Sequence, residues 1–309
     1  MPRFLPRFSW FLSGVLVVMG GTAAWAATSR LSETLLPDTT EGFIAISNVD
    51  VLSEHWNKTQ LGHLMAQPVM QPASKDIRRQ LDERWSNIHE RLGLSLDDLK
   101  GVPGGDVGLG LIAPGPGKSA LAIVADVTGK LPQANEVLRK VTVTQSQRGA
   151  KRSEIRVEGC PDSVIRFNLP EPEEEKEARQ STLRGSEKSE AAKAEGKTVA
   201  AAPAGRQAFY CLTGNLLATT DNFEVLKGIL ARAGGNQNGS LADRKGFQMV
   251  MRRCKKDGGE AQPQIRWFIC PLGYAVAARA ATPADRRRKG KSVLEVLRNQ
   301  GVGAVKGVG

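Results

Sequence analysis

The sequence predicts an α+β fold of antiparallel sheets with helices packed on one face, and three observations carry that expectation. "VGLGLIAPGPGKSALAIVADV" sets two apolar, strand-like runs on either side of a Pro and Gly cluster, the pattern of a β-hairpin. Ile77, Leu81, Trp85, Ile88 and Leu92 recur at steps of four, four, three and four, which places all five on one face of a helix. Finally, "AISNVDVLSEHW", "AIVADVTGKLPQANEVL" and "LLATTDNFEVLKGIL" each pass from strand to helix through an Asp, as an internal β-β-α repeat would.

Taken in order, "LLPDTTEGFIAISNVD" opens on a Pro and Asp turn and continues as a strand from Phe43 to Val49. "VLSEHWNKTQLGHLM" and "SKDIRRQLDERWSNIHERLG" follow, the second a helix that stops at Gly93, where a left-handed C-cap belongs. In the hairpin, Val107, Leu109 and Leu111 share one strand face and Gly108 and Gly110 the other. A helix from about Pro132 to Val141 comes next, then strands around Ile155–Val157 and Val164–Leu169. After residue 206, "QAFYCLTGNLLATTDN" gives two short strands around a Gly214-Asn215 turn, and "FEVLKGILARAGG" a helix. Another helix near Leu241–Cys254 precedes "IRWFICPLGYAVAARA", whose first half is the most apolar strand candidate, and "SVLEVLRNQ" is a last helix before strand-like residues that stop in mid-pattern.

Length and composition divide the chain into regions. The 309 residues are 40% hydrophobic and 24% charged, close to globular averages, with 33 glycines and only 5% aromatics. Arg3 and Arg7 precede an uncharged run from Phe8 to Ser29, and Ala24, Trp25 and Ala26 supply the small-x-small pattern of a signal peptidase site. Residues 1–26 are therefore read as a signal peptide, or else an N-terminal membrane anchor, since the run can cross a core of about 30 Å. Residues 27–170 form the first half of an α+β domain and 207–309 the second, the latter expected to be incomplete at its C-terminus. Between them, 171–206 carries eight acidic and seven basic residues and only Leu183 and Val199 as large aliphatics. Too little apolar surface can be buried there to offset the entropy of ordering, so a disordered charged insertion is expected.

Export makes Cys160, Cys211, Cys254 and Cys270 candidates for disulfides, with three full pairings open, against the alternative of buried free thiols. No two stand in the C-x-x-C spacing of zinc knuckles, thioredoxin chemistry or haem attachment. The net charge of +11 is mostly C-terminal: Met251–Gly309 holds thirteen Lys and Arg against four Asp and Glu. Within it Arg286, Arg287, Arg288, Lys289 and Lys291 form the candidate anionic-surface site, for an acidic protein, an anionic polymer or a membrane surface, against the alternative of a solvated loop ahead of a helix. Nucleic acid is disfavoured because no aromatics interleave with the charges to stack bases.

Several tempting motifs fail on chemistry. Gly117-Lys118-Ser119 ends like a P-loop, but the first glycine position is Ile112, and Pro114 and Pro116 have no N–H to offer a phosphate. The strand-like "ALAIVADV" follows where a helix N-terminus is required. Gly290-Lys291-Ser292 does enter a helix, with Asp285 in the first glycine position, and Ser292 and Glu295 read better as a capping box. "HERLG" at His89 has Gly93 where a zinc-protease helix needs its second histidine, and only His55 and His63 remain. No G-x-S-x-G elbow occurs. No metal or cofactor is expected, and the remaining route to catalysis is a site assembled from distant residues such as Asp106, Asp126 and His63.

"LLPDTTEGFIAISNVDVLSEHWNKTQLGHLMAQPVMQP", "GLSLDDLKGVPGGDVGLGLI" and "ALAIVADV" resemble an uncharacterised, planctomycete-type family of exported bacterial proteins, akin to a broader bacterial domain of unknown function. The resemblance spans most of the chain outside the insertion. It implies an exported α+β protein with no assigned catalytic residue, in a family whose sequences continue past the "NQGVGAVKGVG" region. Together these readings point to an exported, non-enzymatic envelope protein acting through surface contacts, periplasmic, secreted or membrane-tethered. The alternative is an electrostatic binder of an anionic polymer or membrane surface through the C-terminal basic cluster.

Overall fold

A computed structural model describes residues 30–170, 206–236, 238–259, 263–282 and 293–309. The leader 1–26, the insertion up to residue 205, the basic cluster Arg286–Lys291 and the Ser292 cap lie outside the described residues.

The described strands form one eight-stranded sheet in the order β4-β5-β6-β7-β3-β2-β1-β8, with every neighbouring pair antiparallel. They are β1 (Thr40–Ile46), β2 (Val107–Ile112), β3 (Ala120–Asp126), β4 (Lys151–Ile155), β5 (Val164–Asn168), β6 (Gln207–Thr213), β7 (Leu216–Thr220) and β8 (Ile265–Ile269). The helices are α1 (Ser32–Leu35), α2 (Val49–Lys58), α3 (Gln60–Met65), α4 (Gln71–Leu92), α5 (Leu131–Gln147), α6 (Phe223–Ala233), α7 (Lys245–Gly258), α8 (Pro271–Ala281) and α9 (Val293–Asn299). Among the described residues no helix is long and apolar enough to cross a membrane. The α+β class and the antiparallel sheet match the expectation from sequence.

The helices do not keep to one face, and this corrects that part of the expectation. On one side Leu35 of α1, Leu36 just after it, Leu226 and Ile229 of α6 and Phe247 of α7 pack on Phe43, Ala122, Val124, Phe209 and Ala218. On the other, Leu92 of α4 and Ala134, Val137 and Val141 of α5 pack on Leu121, Ile123, Leu217 and Tyr210. β3 explains the arrangement, since every one of its seven residues is buried. A continuous apolar run such as "ALAIVAD" marks a strand covered on both faces, whereas one-sided cover calls for alternation.

Two of the three echoes close β-β-α units, β2–β3–α5 and β6–β7–α6, whereas the first is the single strand β1 followed by α2, and β3 pairs with β7 at the centre of the sheet. Their helices go to opposite faces, so the two units are not copies of one arrangement. In β2, Val107, Leu109 and Leu111 turn to the α4–α5 side while Gly108 and Gly110 turn to α1. A Cβ on Gly108 would stand 2.4 Å from Ser32 Cβ, so the glycine is what lets α1 settle on the sheet.

α1 is also held by charge. Ser32 N donates to Asp106 Oδ1 at 2.8 Å, Ser32 Oγ donates to the same oxygen, and Arg266 of β8 binds both Asp106 and, at 3.0 Å, Glu33. Three ionised side chains thereby join α1, the entry to β2 and the edge strand β8.

Some boundaries move. The fourth strand ends at Ile155, and the chain turns between Val157 and Cys160, whose N–H donates back to Val157 O. Lys151, Arg152 and Glu154 are exposed there, which suits a sheet edge. The α4 stripe is real but only partly covered: Leu92 is buried and Trp85 and Ile88 half-buried, while Ile77 and Leu81 are 50% and 53% exposed where the helix runs past the sheet. "LGYAVAARAA" is the helix α8, and the strand before it ends at Ile269.

Candidate ligand cleft

The α4–α5 face is not fully covered. Over β8, β1 and β2 a cavity of about 530 Å³ opens between α4 and α8, within the range of small-molecule sites. Its floor is the sheet itself: Ile44 of β1, Leu109 and Leu111 of β2, Leu121 of β3, and Trp267 and Ile269 of β8. The alternation of β1 and β8 decides this. Phe43 and Phe268 go into the opposite core, so Ile44 and Trp267, which pair across the strands, must face the opening. They remain 46% and 42% exposed.

The α4 wall presents Arg84, Asn87, Ile88 and Arg91, at spacings of three, one and three that share one helical face. Its C-terminal end is fastened to the sheet. Tyr210 donates its hydroxyl to Leu92 O, Trp85 Nε1 donates to Leu94 O at 2.9 Å, and Gly93 caps the helix at φ 64°. Glycine is required at that cap twice over, because a Cβ would also stand 2.1 Å from Gln145 Nε2.

Arg91 is itself anchored. Its Nε donates to Asp221 Oδ2 at 2.5 Å, and Nη2 reaches the same carboxylate and Ser119 O. Asp221 also accepts from Leu121 N at 2.8 Å. Burial pushes the Asp221 carboxyl up, against Arg91 and the Leu121 N–H, which hold it down. Arg91 Nη1 is buried and has no hydrogen-bond partner among the described residues.

α8 forms the other wall with Tyr274, Ala278 and Ala281. Pro271 starts it, Cys270 N donates to Glu41 O at 2.9 Å, and Gly42 on β1 leaves room for the Tyr274 ring, which a Cβ would meet at 2.8 Å. The lining is therefore aliphatic, aromatic, amide and guanidinium in character, with no carboxylate among the described residues that form it. Such a surface can desolvate an apolar group and offer donors to an acceptor beside it.

The residues singled out from sequence lie elsewhere. Asp106 is committed to Ser32 and Arg266; Asp126 accepts from Thr128 N and Oγ1; His63 is exposed on α3. Each of these carboxylates already has structural partners, and the three residues do not form one constellation. Gly117-Lys118-Ser119 is a hairpin loop, with Gly117 at φ 67° and Lys118 N donating to Gly115 O at 3.1 Å. Among the described residues no group of three His, Cys, Asp or Glu side chains is placed to hold a metal. Sequence reasoning missed Arg84, Arg91, Trp267 and Tyr274. The signal for two of them was present: Arg84, Asn87 and Arg91 flank the α4 stripe at helical spacing.

None of the four cysteines is bonded, but Cys160 Sγ and Cys211 Sγ lie 3.8 Å apart, which selects one pair from the open pairings. Burial and the neighbouring Cys160 push the Cys211 thiol up, so little of it is thiolate near neutral pH. In a glutathione redox buffer poised towards oxidation, these two thiols are expected to pass two electrons and two protons to the glutathione disulfide and become joined. Closing a separation of 51 residues would add about 2–4 kcal/mol of stability. Peptide mapping under non-reducing conditions reads the linkage. Recovery of Cys160 and Cys211 as separate thiols after such treatment would contradict it.

With this geometry in place, the class of the protein is an α+β fold whose open cleft lies on an antiparallel sheet between two helices. Comparison with known proteins adds no narrower identity: no protein family, no curated protein and no solved structure matches the chain.

Proposed function

We propose that this chain is an exported, non-catalytic binding protein that acts by taking an apolar group into the α4–α8 cleft. The cleft is the observation that carries the reading. Ile44, Trp267 and Tyr274 are 46%, 42% and 41% exposed around one concavity, where their burial by a ligand is favourable at about 25 cal/mol per Å². The export half of the reading rests on Arg3, Arg7 and the uncharged run Phe8–Ser29.

The test is titration with Nile red, a neutral dye whose emission shifts to the blue on leaving water. One saturable site per chain is expected. The Ala278→Phe variant, which places a ring in the cleft from α8, is expected to lose it while keeping its circular dichroism. Saturable binding of equal strength in A278F would place the dye elsewhere and refute the proposal.

A further inference from the structure

Resting on that reading of the cleft, we infer that the ligand is an amphiphile with one anionic group, a carboxylate or a phosphate, on an apolar body. Among the described residues the charges lining the cleft have a single sign, with Arg84 and Arg91 both on the α4 wall. Asp221 balances Arg91, so the uncompensated charge is that of Arg84. Its helical neighbours Gln80, Leu81, Asn87 and Ile88 are all uncharged, and it has no ion pair or hydrogen bond among the described residues. Arg78 and Arg79, on the same helix, are both paired with acids.

The second observation is the make-up of the same wall. Arg91 is tied to Asp221 and Ser119 and fixes the end of α4, while the Asn87 amide lines the cleft one turn from Arg84 and adds neutral donors beside its guanidinium. An anionic oxygen is the strongest acceptor for a guanidinium such as that of Arg84. Arg84 and Arg91 lie seven residues apart, about 10 Å along the helix, with the Asn87 amide between them. Donors thus follow one rim while Ile44, Leu109 and Trp267 continue the floor as apolar surface.

Neither half of such a ligand suffices alone. A neutral hydrocarbon would cover Trp267 and leave the Arg84 guanidinium without an acceptor. A bare anion would pair with Arg84 and leave the exposed floor in water. An apolar body on the floor with its charged end at the α4 rim satisfies both.

The experiment uses the full chain and calorimetric titration with decanoate, decyl phosphate, 1-decanol and acetate. At least one of the two anionic amphiphiles is expected to bind about tenfold or more tightly than 1-decanol, the scale of one charge-assisted hydrogen bond. Acetate is expected to bind far more weakly than decanoate. Whichever amphiphile is tighter tells a fatty-acid-type carboxylate from a lipid-type phosphate. Arg84→Gln removes an exposed side chain without partners among the described residues, so folding is preserved, and it is expected to erase most of the preference by weakening decanoate and decyl phosphate far more than 1-decanol. Equal affinity for 1-decanol and both anionic amphiphiles, or no effect of R84Q, overturns the inference and leaves the apolar cleft standing. Acetate binding as tight as decanoate also overturns it. Absence of binding by all four, together with failure of the Nile red titration, overturns the cleft reading as well.

Discussion

Replacing Asp106 by alanine is expected to lower folding stability by about 3–5 kcal/mol, the scale for stripping one partner from a buried ion pair. The Asp106 and Arg266 side chains retain only 2% and 9% of their exposure, and water cannot take over the role of the carboxylate. Without it Arg266 keeps Glu33 and Ser47, while Ser32 loses the acceptor of both its N–H and its hydroxyl. α1, the entry to β2 and the edge strand β8 would loosen together because all three converge on this carboxylate. Asp106→Asn keeps an acceptor for Ser32 but turns a donor or a weaker oxygen towards the guanidinium, so a smaller loss of about 1–3 kcal/mol is expected. Urea unfolding reads both, as a lower midpoint at unchanged slope. A loss within about 0.5 kcal/mol for D106A, the scale of surface substitutions, would show that the cluster is not structural.

Gly108→Ala is the second large effect, and its sign is the informative part. In an ordinary strand interior alanine is favoured over glycine by about 0.5–1 kcal/mol. Here the new Cβ would meet Ser32 Cβ and Oγ at 2.4 Å. Ser32 Cβ is fixed to the α1 backbone and cannot swing aside, so the helix must lift from β2. A loss of about 1–3 kcal/mol is expected, as for other overpacked cores. Gly115→Ala provides the control, since its Cβ would find only the flexible Lys118 Cδ at 3.9 Å, and stability should hold. Because G108A and D106A break the same α1 contacts, the double variant is expected to lose less than the sum of the two, by at least about 0.5 kcal/mol. Thermal unfolding of the four proteins measures this coupling. A stabilising G108A would mean that α1 does not sit on the glycine face of β2.

For the cleft, the apolar floor itself is assembled from segments far apart in the chain. Ile44 and Trp267 are 223 positions apart and become neighbours only because β8 pairs with β1. The guanidinium wall comes from α4, whose apolar stripe was legible but whose free end and open flank were not. The cysteines show the same limit. Their number and the absence of C-x-x-C spacing were readable, whereas the proximity of Cys160 and Cys211 needed β6 to pass behind the turn that follows β4.

The sequence by itself determined the local events: the hairpin at Pro114–Gly117, the Gly93 helix stop, the Gly214-Asn215 turn and the helical stripe of α4. Each depends on backbone geometry or on periodicity within a few residues. Only the tertiary structure decided that β3 lies against β7, that helices cover both faces, and that β1 and β8 leave part of one face open. Alternation in a strand defines two faces but does not say which helix covers each. That choice is made by pairings between segments tens to hundreds of residues apart, where side-chain volume and charge across the contact, rather than local pattern, set the outcome.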